Sequence, residues 1–137
     1  MSSYTLSLQP PTAAAYVHLR EVSGMGSKTL AHSRQALSAS LLTVSIYDAA
    51  RLIAFGRVVG DGAISFVISD VMTDPAYRRQ GLADRILSEM DQYFERQASQ
   101  DSFICLIANK PADHLYLRHH FTYLDPERCG MLRSQAD

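Results

Sequence analysis

The sequence predicts an α/β domain with a mixed, mainly antiparallel sheet flanked by helices, and three features carry that expectation. Three β-rich runs, "TVSIY", "LIAFGRVV" and "AISFVISDV", follow one another across the short breaks "DAAR" and "GDG", as in an antiparallel meander. The pattern then changes to a period of 3.6, with Leu82, Ile86, Leu87, Met90, Tyr93 and Phe94 on one stripe of a helix that runs to about Gln97. After it, "FICLIA", residues 103–108, is continuous and apolar, which suits a central strand covered on both faces; residues 64–108 therefore read as strand, helix, strand.

The remaining elements fall around this frame. "YTLSL", residues 4–8, alternates in period two and stops at Pro10 and Pro11, which cannot continue a ladder, so it is a short first strand. Thr12 then caps a helix from Ala13 to Arg20, ended by the glycines of "SGMG", and a second helix runs from about Ser27 to Ala39. A short helix from about Ala112 to His119, and a closing strand or two from Phe121 onward, complete the sheet. With 137 residues and no repeat or low-complexity linker, residues 1–137 read as a single domain.

Composition limits the function. The 13 Lys and Arg nearly balance the 14 Asp and Glu, so no general field draws the chain to nucleic acid or to an anionic membrane, and any charge used in binding is local. The two cysteines, Cys105 and Cys129, make neither a CxxC pair nor a disulfide framework, which fits a reducing cytoplasm. "MSSYTLSLQPPTAAAY" lacks the basic start and apolar core of a signal peptide, and no apolar run approaches the roughly 20 residues that span a bilayer.

The segment "DPAYRRQGLADRILSEM", residues 74–90, turns the chain into the long helix. A helix start exposes unpaired N–H groups and the positive end of the dipole, so an anion is stabilised there. Gly81 and the small Ala83 leave that backbone bare, while Arg78 and Arg79 add positive charge at the lip. A pyrophosphate suits the arrangement better than a single phosphate. The spacing is neither GxGxxG nor the GK[ST] ending of a nucleoside-triphosphate loop.

With the strand before it, "ISDVMTDPAYRRQGLADRIL" resembles the acetyl-CoA-binding motif of the GCN5-related N-acetyltransferase (GNAT) superfamily, [Q/R]-x-x-G-x-[G/A] entering a helix, with Arg78, Gly81 and Ala83 in the three defined positions. A second motif of that family, N-x-x-A-x-x-x-Y followed five residues later by Phe, is matched by Asn109, Ala112, Tyr116 and Phe121. The resemblance covers roughly residues 40–125. It implies a sheet whose central strands splay apart, and acetyl-CoA as co-substrate. Its pyrophosphate would be held by N–H groups from Arg79, Gln80, Gly81, Leu82 and Ala83, and its pantetheine arm by the backbone of Val71, Met72 and Thr73, with Asn109 a further contact. The family often has Gly before the Phe of the second motif where this chain has His120, and an aliphatic residue is commoner at Thr73.

Acetyl transfer from a thioester to an amine needs a neutral amine, a stabilised oxyanion and a proton for the departing thiolate. Tyr116 matches the tyrosine to which the resemblance assigns that proton. Asp70, at the end of an apolar strand near the expected thioester, is the candidate to help deprotonate the amine, because apolar surroundings raise a carboxyl pKa; the competing reading has it paired with an arginine such as Arg57. His114, His119 and His120 lack the i, i+4 spacing of a helical zinc pair, so no metal is expected. The acceptor site falls to the first two helices, the "SGMGSKTL" loop and the segment after Phe121, with Tyr16, Phe55 and Tyr123 available as an aromatic wall. The leading acceptor is the primary amine of a small molecule. A peptide α-amine and a non-catalytic acyl-CoA-binding module are the alternatives, and pairing into homodimers is carried over by analogy alone.

Overall fold

Two threonine caps start the N-terminal helices: Thr12 accepts from the Ala15 N–H and Thr29 from the His32 N–H, both at 3.1 Å. They define α1 (Ala13–Val22) and α2 (Leu30–Ala39), the second beginning later than the sequence suggests because Thr29 is its cap. The structure is a computed structural model that describes residues 3–135. The described residues fall into two compact units, the first ending at Leu106 and the second beginning at Ile107.

In the first unit, β1 (Thr5–Ser7), β2 (Leu42–Asp48), β3 (Arg51–Gly60), β4 (Ser65–Thr73) and β5 (Phe103–Cys105) form one sheet in that order. The first four are antiparallel neighbours; β5 lies parallel to β4 after the crossover helix α3 (Leu82–Gln97). Phe55 and Gly56 are successive residues of β3 and so point to opposite faces. On one face Phe55 meets Tyr16 of α1 edge to face, ring centroids 5.4 Å apart, beside buried Leu19, Leu37, Leu52 and Met72. On the other lies α3, whose predicted stripe is the one it buries: Leu82, Ile86, Leu87 and Met90 are covered, while Tyr93 and Phe94 pack edge to face on Phe66. A β-carbon at position 56 would stand 2.8 Å from both Ile86 Cγ2 and Met90 Cε, so this close approach of helix to strand requires glycine.

Two elements depart from the expected pattern. "FICLIA" forms a strand only over Phe103–Cys105, and that strand is an edge, with Phe103 51% exposed. Its pairing stops at Val67↔Cys105, so it gains ladder bonds on one side and over three positions only. The closing strands from Phe121 onward do not form: residues 121–135 are in neither helix nor strand. The second unit has one short helix, α4 (Asp113–Leu117).

Candidate active site

Gly81 is the N-cap of α3 and has a left-handed backbone, φ 75°. Arg79, two residues before it, is left-handed as well, φ 65°. Alternation of this kind turns successive N–H groups toward one side and makes a concave anion seat. The N–H groups from Arg79 to Ala83 donate to no acceptor among the described residues; the first bond of the helix is Arg85 N–H to Gly81 O, 3.1 Å. No atom lies within 4 Å of where a Gly81 β-carbon would be, so the seat opens to solvent. Arg78 and Arg79 are exposed, and the Gln80 side-chain oxygen accepts from the Tyr4 hydroxyl at 2.9 Å. The turn before the seat is held by Asp74, which is buried, accepts from Ala76 N–H at 3.0 Å and pairs with Arg51 at 2.7 Å.

Upstream, β4 carries a bulge. Arg57 pairs with Ser69 and Phe55 with Met72, so Asp70 and Val71 together oppose Gly56. Asp70 takes a left-handed conformation there, φ 60°. Its carboxylate receives Arg20 Nη1 at 2.8 Å, Arg57 Nε at 2.7 Å and the Tyr16 hydroxyl at 2.5 Å, and these partners explain why a non-glycine residue is stable in the bulge. Arg20 is fixed in turn by the carbonyls of Gly26 and Met25, at 2.8 and 2.6 Å. Burial pushes the Asp70 carboxyl up, but the hydrogen bonds from Arg57 and Tyr16 and the charges of both arginines outweigh it, and the group lies below its ordinary value. The expectation of a raised carboxyl is thus reversed, and the pairing with Arg57 is realised. The same cluster raises Tyr16, first through burial and then through its bond to Asp70.

Asp70, Ser69 and Arg57 form one wall of a cavity of about 270 Å³, closed by Tyr16 and Arg20 of α1 and by Lys28, His32 and Ser33 at the start of α2. Beyond Val67 no strand pairs with β4 on the β5 side among the described residues, so that backbone edge over residues 68–73 stays open, as the splayed strands require. Sequence reasoning named Asp70 and Arg57 and placed the acceptor site in the first two helices and the "SGMGSKTL" loop, but did not single out Arg20, Lys28 and Ser33 there. A signal existed for one of them: Arg20 follows Tyr16 by four residues and sits beside Leu19 on the buried stripe of α1, an unusual place for an arginine without a partner. Of the proposed aromatic wall, Tyr16 lines the cavity, Phe55 is fully buried, and Tyr123 belongs to the second unit, where it donates to Asp113.

In the second unit the Asn109 carbonyl accepts from Ala112 N–H at 2.7 Å, a local turn at the start of α4. The Tyr116 carbonyl accepts from His119 and Phe121 N–H, and the Tyr116 and Phe121 rings meet edge to face at 6.1 Å. His120 between them is left-handed, φ 73°, so the position calls for the conformation that glycine adopts most freely. Burial raises the Tyr116 hydroxyl above its ordinary value. No group of three or more His, Cys, Asp or Glu side chains suited to a metal occurs among the described residues. No helix there is long and apolar enough to cross a membrane.

The sequence matches the family model for the acetyltransferase (GNAT) domain over residues 40–123, which holds both the bulged strand and the anion seat. The chain belongs to the GNAT family. A crystal structure of a protein of unknown function from methicillin-resistant Staphylococcus aureus, a probable acetyltransferase, is similar to it with TM-score 0.92 and 32% identity, over 97% of this chain and 100% of that one. A GNAT acetyltransferase from Streptococcus pneumoniae aligns at TM-score 0.76 and 23% identity over 98% and 100%. The Escherichia coli ribosomal-protein-S18-alanine N-acetyltransferase aligns at 0.73 and 19% over 90% and 80%. These last two share the fold. No curated protein sequence matches significantly. As a GNAT protein the chain is an acyl-CoA-dependent N-acetyltransferase, with acetyl-CoA as co-substrate.

Proposed function

We propose that the chain, acting as one domain over residues 1–137, transfers the acetyl group of acetyl-CoA directly to the primary amine of a small molecule within a ternary complex. The observation that carries this reading is the cavity beside the bulge: at about 270 Å³, it falls just below the range of drug-sized ligand pockets, roughly 300–1,000 Å³, which suits a small acceptor. The unpaired N–H groups of Arg79 to Ala83, with Arg78 and Arg79, suit the pyrophosphate, and the open edge of Val71, Met72 and Thr73 suits the pantetheine arm.

The reaction requires a neutral amine. Arg20, Lys28 and Arg57 around the cavity outnumber Asp70, and a positive surrounding disfavours an alkylammonium, so the amine releases its proton to solvent more readily there. Asp70, held ionised by its partners, is a positioning residue that fixes both arginines and Tyr16. As the amine nitrogen bonds to the acetyl carbon, the carbon–sulfur bond breaks and the thiolate takes up a proton. Tyr116 is the proposed donor; its raised pKa keeps the hydroxyl protonated through neutral pH.

The test follows thiol release with acetyl-CoA and a panel of small amines, with N-terminal peptides beside them. Turnover confined to peptides overturns the small-molecule acceptor. Tyr116→Phe is expected to lower kcat about a hundredfold while KM for acetyl-CoA barely changes, and an unchanged kcat removes Tyr116 as the acid.

A further inference from the structure

We infer that the acceptor carries an anionic group, a carboxylate or a phosphate, besides the amine it presents for acetylation. The inference deepens the acetyl-transfer reading and rests on it for the amine. Four observations converge on the cavity. Three permanent positive charges, Arg20, Lys28 and Arg57, line it against the single carboxylate of Asp70. Two of those charges are only partly used. Lys28 is exposed and makes no ion pair or hydrogen bond among the described residues, and Arg57, committed through Nε to Asp70 and through Nη1 to Ser40 at 3.3 Å, leaves Nη2 without an acceptor there. Ser33 lines the same cavity at 2% exposure, and its Oγ has no hydrogen-bond partner among the described residues. A buried hydroxyl without a partner is costly, and an anion supplies the acceptor it lacks. Finally, the cavity reaches the first turn of α2, whose positive end favours negative charge.

An amine without an anion would bring another positive charge to a cavity with a positive surplus and leave Ser33 unsatisfied. A molecule bearing both groups offsets that surplus, and its anion, held by Lys28, Arg57 and Ser33, fixes the direction in which the amine faces β4. Asp70 contributes on the other side by holding Arg57 in place through the 2.7 Å bond.

The experiment compares amines that differ in the anion alone: ethanolamine with phosphoethanolamine, glucosamine with glucosamine 6-phosphate, and alaninamide with alanine. Turnover is read by thiol release, and binding by calorimetry on protein saturated with coenzyme A, so the cavity's preference is measured even without turnover. At least one anionic member is expected to bind about tenfold or more tightly than its neutral twin, and the phosphate and carboxylate arms tell the two anions apart. Lys28→Glu is expected to abolish that preference, and Ser33→Ala to weaken it, while affinity for acetyl-CoA is retained in both. Equal binding within every pair, or a preference that survives Lys28→Glu, overturns the inference and leaves acetyl transfer standing. An anion preference lost in Lys28→Glu without acetylation of any panel member upholds the anion site and removes the small-amine reading instead.

Discussion

Gly81 and Asp70 adopt nearly the same left-handed backbone, φ 75° and 60°, and are stable in it for opposite reasons. Gly81 has no side chain and faces open space, so its surroundings leave room for an anion against bare N–H groups. Asp70 is clamped by Arg20, Arg57 and Tyr16, and its side-chain bonds hold a conformation that its backbone alone disfavours. One half of the site is thus made of backbone left unpaired, the other is built around a carboxylate nearly saturated with partners. Affinity should be the sensitive quantity at the first, and stability at the second.

The largest effect is expected from Asp70→Ala, which strands the buried Arg20 and half-buried Arg57 guanidiniums: about 3–5 kcal/mol of stability, measured by denaturant unfolding. Asp70→Gly sharpens the point, since it relaxes the left-handed backbone but is expected to recover only about 1 kcal/mol of that loss. Gly81→Val reverses the pattern. It is expected to weaken acetyl-CoA binding about a hundredfold by calorimetry, through two or so lost anion bonds, while the strained left-handed backbone at this position costs only about 1–2 kcal/mol of stability; retained affinity would mean that the phosphates sit elsewhere.

Acid separates the two halves in a milder way. The folded-state pKa of Asp70 is depressed, so the stability it contributes is complete above the unfolded carboxyl value, near about pH 4, and is lost as pH falls through the lower folded value. Asp70→Asn should therefore show a shallower stability loss below about pH 4 than the unaltered protein, and parallel acid profiles would place the linkage on other carboxylates. The smallest effect is expected at His120, left-handed with no clamp: His120→Gly should stabilise by roughly 0.5–1 kcal/mol, seen as slower exchange of the Phe121 amide that bonds Tyr116 O.

The same contrast governs what could be read from the sequence. The bare helix start was legible because its parts are consecutive: Arg78 to Ala83 lie on one turn, and the stripe from Leu82 to Phe94 announces the helix. Thr12 and the three-stranded meander were legible for the same local reason. The Asp70 clamp draws on Tyr16 and Arg20, some fifty residues away, so its net pKa depends on packing that no local pattern encodes. Ser33 and Lys28 were hidden likewise, in a helix and loop that reveal a wall only after docking near β4. The strand "FICLIA" misled because apolar content reports a preference for burial, whereas strand length depends on the partners available.

The tight seam at Gly56 has a geometric consequence. Ile86 of α3 rests on that glycine, directly across the sheet from the Asp70–Val71 bulge, and the same helix begins at the anion seat five residues earlier. At about 1.5 Å of rise per residue, one rigid turn and a little more separate the two. On the proposed reading, the helix works as a gauge block between the turn that would grip phosphate and the strand that would receive the acyl group. Adding a single residue between Leu82 and Ile86 would turn the grip by about 100° relative to the strand. A ligand of fixed length could then no longer reach both.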